Sequence, residues 1–124
     1  MQLQYLTQCN VDSVVIACQS RENLDHTTPD GLLERRADVT YEQIRDADLA
    51  VKNVLDGMSD DVLAELQALF WIGRSDSGAK DWETELWSSR NDLNNTTRSY
   101  LAGKGWLGRY VLEGIKKTCA TLAC

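Results

Sequence analysis

The chain has 124 residues and a mass of 13.9 kDa, with 43% apolar and 26% charged residues, four tryptophans and a single proline. A chain of this length buries about two-thirds of its unfolded surface, so one domain over residues 1–124 is expected and wholesale disorder is excluded. The net charge of −6 lies in the first half, where residues 1–60 hold 11 acids against 5 bases and residues 61–124 hold 8 against 8. That balance argues against direct nucleic-acid binding, which needs clustered Lys and Arg.

No strand pattern in the chain is convincing; "MQLQYLTQCN" alternates weakly over Gln2 to Thr7 and is the one candidate. It lacks the basic start and apolar run of a secretory signal. Asn10 is placed to cap a helix whose apolar stripe is Val11, Val14, Val15 and Cys18. Residues 23–39, "NLDHTTPDGLLERRADV", hold the only proline and an Asp-Gly pair and keep no steady period, so they read as the longest loop and a candidate binding segment.

Thr40 and Gln43 form a capping box, and Tyr41 to Asp56 reads as a helix with Ile44, Ala47, Val51, Val54 and Leu55 inward. Gly57 suits a left-handed residue ending it. Ser59 caps the next helix, with Asp60 and Asp61 favourably placed in its first turn and Val62, Leu63, Leu66, Leu69 and Phe70 as its core face. Gly73 then falls where a C-cap glycine belongs, with Arg74 positioned against the last carbonyls.

"GRSDSG" is therefore read as a helix stop and a connecting loop. No Gly-Lys-Ser/Thr closes it as a phosphate-binding loop. Ser75 is no hydrolase elbow either, because Ser77 stands where the second glycine is required. Asp81 opens a fourth helix with Trp82, Leu86, Ser89 and Leu93 on one face and Trp87 beside it. "NDLNNTTRS" interrupts that helix by local hydrogen bonding. A short helix covers Arg98 to Ala102, "AGKG" turns, and Trp106 to Leu122 is the last helix, with Leu107, Tyr110, Val111, Ile115, Cys119 and Leu122 inward. The fold class is all-α, a single-domain irregular bundle of about five helices.

The runs "LAELQALFWIGRSD", "DWETEL" and "RSYLAGKGWLGRYVLEGI" resemble the bacterial family catalogued as domain of unknown function three-seven-seven-five. The strong likeness covers about residues 60–115, and a weaker one reaches back to Val14, Val15 and Ile16. Ser75 and the "GKGW" segment depart from the family pattern, which has glycine at the first and proline in the second. The resemblance implies the helical fold and brings no activity, cofactor or substrate with it.

Among candidate chemistries, His26 is the only histidine, and Asp25, Asp30 and Glu34 lack calcium-loop spacing, so no metal site and no cofactor is expected. Cys9, Cys18, Cys119 and Cys124 include no pair with the two-residue gap of a zinc or redox motif. Free thiols in a cytoplasmic protein are expected, with Cys18 and Cys119 in the core and Cys124 free. No apolar run is long enough to span a membrane. No nucleophile has a base beside it, so no catalytic residue is assigned.

The tryptophans exceed one helical stripe. They are either the core of a small bundle or an exposed anchor patch of the kind that dominates interface hot spots. The leading expectation is a non-enzymatic protein that binds another protein through Trp71, Arg74, Asp76, Trp82, Trp87, Arg98 and Trp106; a homo-oligomer is compatible with it. A second reading is an acidic phage or mobile-element inhibitor. In it Glu42, Asp46, Asp56, Asp60 and Asp61 imitate nucleic acid for a partner with a basic groove, such as a defence complex. A third is an enzyme with a cleft lined by Arg74, Asp76, Trp82 and Glu113.

Overall fold

A computed structural model describes residues 1–123. Strand β1 (Gln2–Thr7) runs straight into helix α1 (Gln8–Glu22). Thr7, not Asn10, is the N-cap: its hydroxyl accepts from the Asn10 amide while the Asn10 side chain accepts from the Thr7 N–H. Asn10 supplies the reciprocal half of a capping box, so the helix begins earlier than a lone cap at position 10 suggests. Val11, Val14 and Cys18 are buried as the apolar stripe requires.

Residues 23–39 are not an unstructured loop. Strands β2 (Asp25–Thr27) and β3 (Leu33–Arg35) pair antiparallel around Thr28-Pro29-Asp30-Gly31. Gly31 takes φ +83°, the left-handed position that a Pro-Asp-Gly turn needs, and its N–H reaches the Thr28 carbonyl at 2.9 Å. The strands are three residues each, too short to show a period in the sequence.

Helix α2 (Tyr41–Asp56) starts at the Thr40–Gln43 capping box, and helix α3 (Asp60–Gly73) at the Ser59 cap. A single 3₁₀ turn, Ala79–Asp81, leads into α4 (Trp82–Asp92), which is followed by α5 (Thr97–Ala102) and α6 (Leu107–Thr118). Strand β4 (Thr121–Ala123) closes the described chain by pairing parallel to β1. These six helices with short strands are an all-α irregular bundle.

The last helix stops four residues short of Leu122. Cys119 adopts φ 52°, the left-handed end of α6, and turns the chain into β4. Cys119 is therefore exposed, not in the core as its spacing suggested, and Leu122 lies on the strand. A non-glycine residue in that conformation leaves no helix-stop signal in the sequence. Cys124 lies outside the described residues.

α3 is the post around which the rest is arranged. It packs on α6, α4 and β1, while α1 packs on α2 and α6, and α2 on α5. Its seam with α6 is closed by two glycines: a Cβ on Gly73 would strike the Tyr110 carbonyl, and one on Gly114 the Leu69 carbonyl. Gly73 is thus a residue of close helix approach inside α3, and the C-cap is Arg74. Gly57 likewise ends α2 with φ −78°, not left-handed.

Three helix ends are finished from a distance. α2, α3 and α5 have no basic residue in their last turn. Arg98 donates to the Leu55 carbonyl in the last turn of α2 and the Met58 carbonyl beyond it, Lys117 to the Ile72 and Gly73 carbonyls of α3, and Arg21 to the Ala102 carbonyl that ends α5 and the Lys104 carbonyl after it. Each long cation meets the negative end of a helix dipole and ties two segments together. The cation on the last carbonyls of α3 is thus Lys117, and the Arg74 side chain is left for other contacts.

The interior polar groups are all engaged. Glu65, 1% exposed, accepts backbone N–H groups of Gln4 at 3.1 Å, Tyr5 at 2.8 Å and Leu6 at 2.7 Å, fixing β1 on α3. The Ser89 hydroxyl sits 2.8 Å from the Ala64 carbonyl and 2.9 Å from the Gln67 side-chain oxygen. No buried side-chain nitrogen or oxygen among the described residues lacks a partner.

Candidate functional site

The C-terminal end of α3 and the N-terminal end of α6 meet at the surface and expose aromatic rings there. Phe70 and Tyr110 stand edge to face with centroids 5.8 Å apart, and Trp106 lies 6.3 Å from Tyr110. Phe70 is buried as the last apolar residue of α3, Tyr110 is half-buried and Trp106 is 44% exposed, so the cluster grades from core to solvent.

Cations stack on this cluster. The Arg74 guanidinium lies 4.8 Å from the Phe70 ring, the Arg109 guanidinium 4.6 Å from Trp106, and the Lys104 ammonium 4.4 Å from Tyr100. Arg74 also donates to the Tyr100 hydroxyl at 3.4 Å. That hydrogen bond, aided by the charges of Arg74 and Lys104, holds the Tyr100 phenol below its usual pKa. Phe70, Arg74, Lys104, Trp106 and Tyr110 line a concavity of about 430 Å³. Across the Trp106–Tyr110 ridge a second, of about 460 Å³, is lined by Arg109, Leu112, Glu113 and Lys116.

Of the residues singled out from the sequence, Arg74 and Trp106 meet in this surface. Trp71 is half-buried against the core, and Trp82 is buried at 6% exposure. Trp87 is 69% exposed on α4, and Asp76 is exposed in the loop after α3. Arg98 is engaged in tethering α5 to the end of α2. The four tryptophans thus divide: Trp71 and Trp82 belong to the interior, Trp87 and Trp106 to the surface.

Arg74, Trp82 and Glu113 line three different concavities and Asp76 lines none of them, so these four do not form one cleft. No group of three or more His, Cys, Asp or Glu side chains among the described residues is arranged to hold a metal ion. No described helix is long and apolar enough to cross a membrane.

The acidic residues Glu42, Asp46, Asp56, Asp60 and Asp61 are all exposed. Several have cations beside them: Asp56 meets Lys52 at 2.9 Å, Asp60 meets Arg98 at 3.2 Å and Asp46 lies 3.6 Å from Arg45. Sequence reasoning missed Phe70, Tyr100, Lys104 and Tyr110 as members of the surface. The signal was present as "RSYLAGKGW", where an aromatic, a lysine and a second aromatic straddle a turn, yet nothing in it said that this turn lies over the end of α3.

A further concavity of about 420 Å³ lies between the end of α1, the β2–β3 hairpin and the α5–α6 turn. Its charges are mutually paired: Arg35 with Asp25 at 3.2 Å, Arg109 with Glu22 at 3.1 Å, and Arg21 with Asp48 at 3.5 Å.

No curated protein and no solved structure matches the chain. A family model does: residues 49–118, from the middle of α2 to the end of α6, match the family described as protein of unknown function DUF3775. The match holds every residue of the aromatic and cationic surface and covers more than half of the chain, which therefore belongs to the DUF3775 family.

Proposed function

We propose that the protein is a non-enzymatic binding module that recognises another protein through the surface formed by Phe70, Arg74, Tyr100, Lys104, Trp106 and Tyr110. The observation that carries this reading is the gathering of three cation–aromatic pairs, one over buried Phe70 and two over the exposed rings of Tyr100 and Trp106, with concavities lined by Trp106 and Tyr110 beside them. Aromatic and arginine side chains are the residue types that supply most binding energy at protein interfaces. A half-exposed Trp106 beside a buried Phe70 offers a partner both a ring to cover and a rigid base beneath it. The acidic surface of α2 and the α2–α3 turn is less suited to mimic a polyanion, because three of its carboxylates already have cation partners.

The test is quantitative affinity capture with the tagged protein and with Trp106→Ala, Arg74→Ala and Trp87→Ala. The partner is expected to be lost with the first two and kept with Trp87→Ala, a more exposed tryptophan elsewhere on the molecule. A partner that survives both Trp106→Ala and Arg74→Ala overturns the reading.

A further inference from the structure

The chain has thirteen Lys and Arg residues. Seven of them lie in ion pairs, and Lys117 is engaged with helix carbonyls. That leaves Arg74, Lys80, Arg90, Lys104 and Lys116 without a carboxylate partner among the described residues. Two of these five, Arg74 and Lys104, face the same concavity and flank the same phenol, Tyr100. Two cations that share one concavity and have no carboxylate beside them leave a local positive spot on a protein whose net charge is −6, and an anion set between them would relieve their mutual repulsion.

We infer that this surface is built for a short acidic segment of a partner protein, with a carboxylate seated between Arg74 and Lys104 and an adjacent aliphatic side chain in the concavity of Phe70, Trp106 and Tyr110. The inference rests on the binding-module reading above and adds the chemistry of the occupant. A carboxylate fits because the Arg74 guanidinium offers a planar fork and Lys104 a mobile point charge at one spot, enough for one or two acidic side chains. A nucleic acid is the poorer match. It needs a run of phosphate contacts along an extended basic track, and this concavity offers two cations only. The rings give the segment its second determinant, since a carboxylate alone on an exposed site binds weakly in water.

The experiment is an NMR titration of the isotope-labelled full chain with three probes: a short Leu-Glu-Asp-Leu-Glu peptide, its Leu-Gln-Asn-Leu-Gln isostere and a short oligothymidylate. The acidic peptide is expected to move the Trp106 indole N–H resonance and leave that of Trp87 in place. Its affinity is expected to fall as salt rises, and by about tenfold in Lys104→Gln and in Arg74→Gln, the scale of one lost charge-assisted hydrogen bond. Lys104→Arg is expected to restore it. Both positions are on the surface, so the variants fold and their spectra report binding alone.

Equal binding of the Gln/Asn isostere overturns the inference, as does preference for the oligonucleotide, or an acidic peptide that leaves Trp106 unmoved. Each of these leaves the binding-module reading standing if the captured partner still depends on Trp106 and Arg74. If capture depends on neither, the reading fails independently of the peptide result.

Discussion

Helices α2 and α3 follow one another in the chain, are 16 and 14 residues long, and behave as opposites. α2 buries only Val51 and Leu55 and rests on α1 and α5 along one side. Ten residues of α3 are buried, Glu65 and Gln67 among them. An amphipathic helix carries its own solubility and is held by caps, local pairs and one stripe. A helix enclosed on every side must instead satisfy each polar group internally and admit its neighbours closely. The candidate binding surface lies where the enclosed helix comes out to solvent, at Arg74, over the buried ring of Phe70.

The comparison breaks most completely at the α3–α6 seam. Gly114→Ala places a methyl group against the backbone carbonyl of Leu69, which has no rotamer to escape into. Helix separation or loss of the fold is expected, with a destabilisation of about 3 kcal/mol or more, a large part of the total stability of a small domain. Urea unfolding measures it. Gly57→Ala, whose added Cβ meets nothing closer than 3.6 Å and whose φ is −78°, is the control at the end of α2 and is expected to cost little.

The next contrast concerns two glutamates. Glu65→Gln replaces a carboxylate that accepts three backbone N–H groups of β1 with an amide whose NH₂ faces donors. A loss of about 2–3 kcal/mol is expected, together with faster hydrogen exchange at Gln4, Tyr5 and Leu6. Glu42→Gln on α2 is exposed and is expected to stay within about 0.5 kcal/mol of the parent. Equal losses at the two sites would show that the strand is held by its pairing with β4, not by α3.

What the sequence made legible follows the same division. The caps at Thr40 and Ser59, the stripe of α2 and the family runs from "LAELQALFWIGRSD" onward could be read because they are local patterns. The end of α2 at Gly57 is where the sequence puts it but without the left-handed conformation, and α3 runs through Gly73 to a cap at Arg74, because a glycine near a helix end was assigned to backbone conformation. In the structure Gly73 serves contact with α6, and the ends are finished by Arg98 and Lys117 from 43 and 45 residues away. The cluster of Arg74, Tyr100, Lys104 and Trp106 was half-visible for the same reason. Each residue stands out in its own segment, but their convergence depends on how α5 and α6 return over α3.

A smaller effect tests those distant caps. Lys117→Met keeps the aliphatic stem of the side chain and removes the ammonium from the Ile72 and Gly73 carbonyls. A cost of about 1 kcal/mol is expected, with exchange rising in the last turn of α3 before any other helix. Lys52→Met on α2 breaks a pair with Asp56 that is open to solvent, and a cost of only about 0.5 kcal/mol is expected. If Lys52→Met proves the costlier, the enclosed helix does not depend on its long-range cap.

The smallest effect is confined to alkaline pH. Arg74 hydrogen-bonds the Tyr100 hydroxyl and, with the nearby charges of Arg74 and Lys104, holds its pKa below the ordinary tyrosine value. A lowered folded-state pKa contributes stability that is fully present above the unfolded value and is lost as pH falls through the folded one. At neutral pH the phenol is protonated in both states and this contribution is absent. Any gap between Arg74→Gln and the parent near neutrality is therefore expected to be small and independent of pH, reflecting the lost contact with Phe70, and to widen in favour of the parent only as pH rises through the tyrosine range. Following phenolate absorbance, the parent is expected to begin ionising earlier than Arg74→Gln, and Tyr100→Phe to remove that early part of the curve. An early component that persists in Tyr100→Phe would belong to another tyrosine, and the placement of the Arg74 guanidinium against Tyr100 would be wrong. Adding the acidic peptide is expected to delay the same component, because a carboxylate between Arg74 and Lys104 offsets the charges that favour the phenolate.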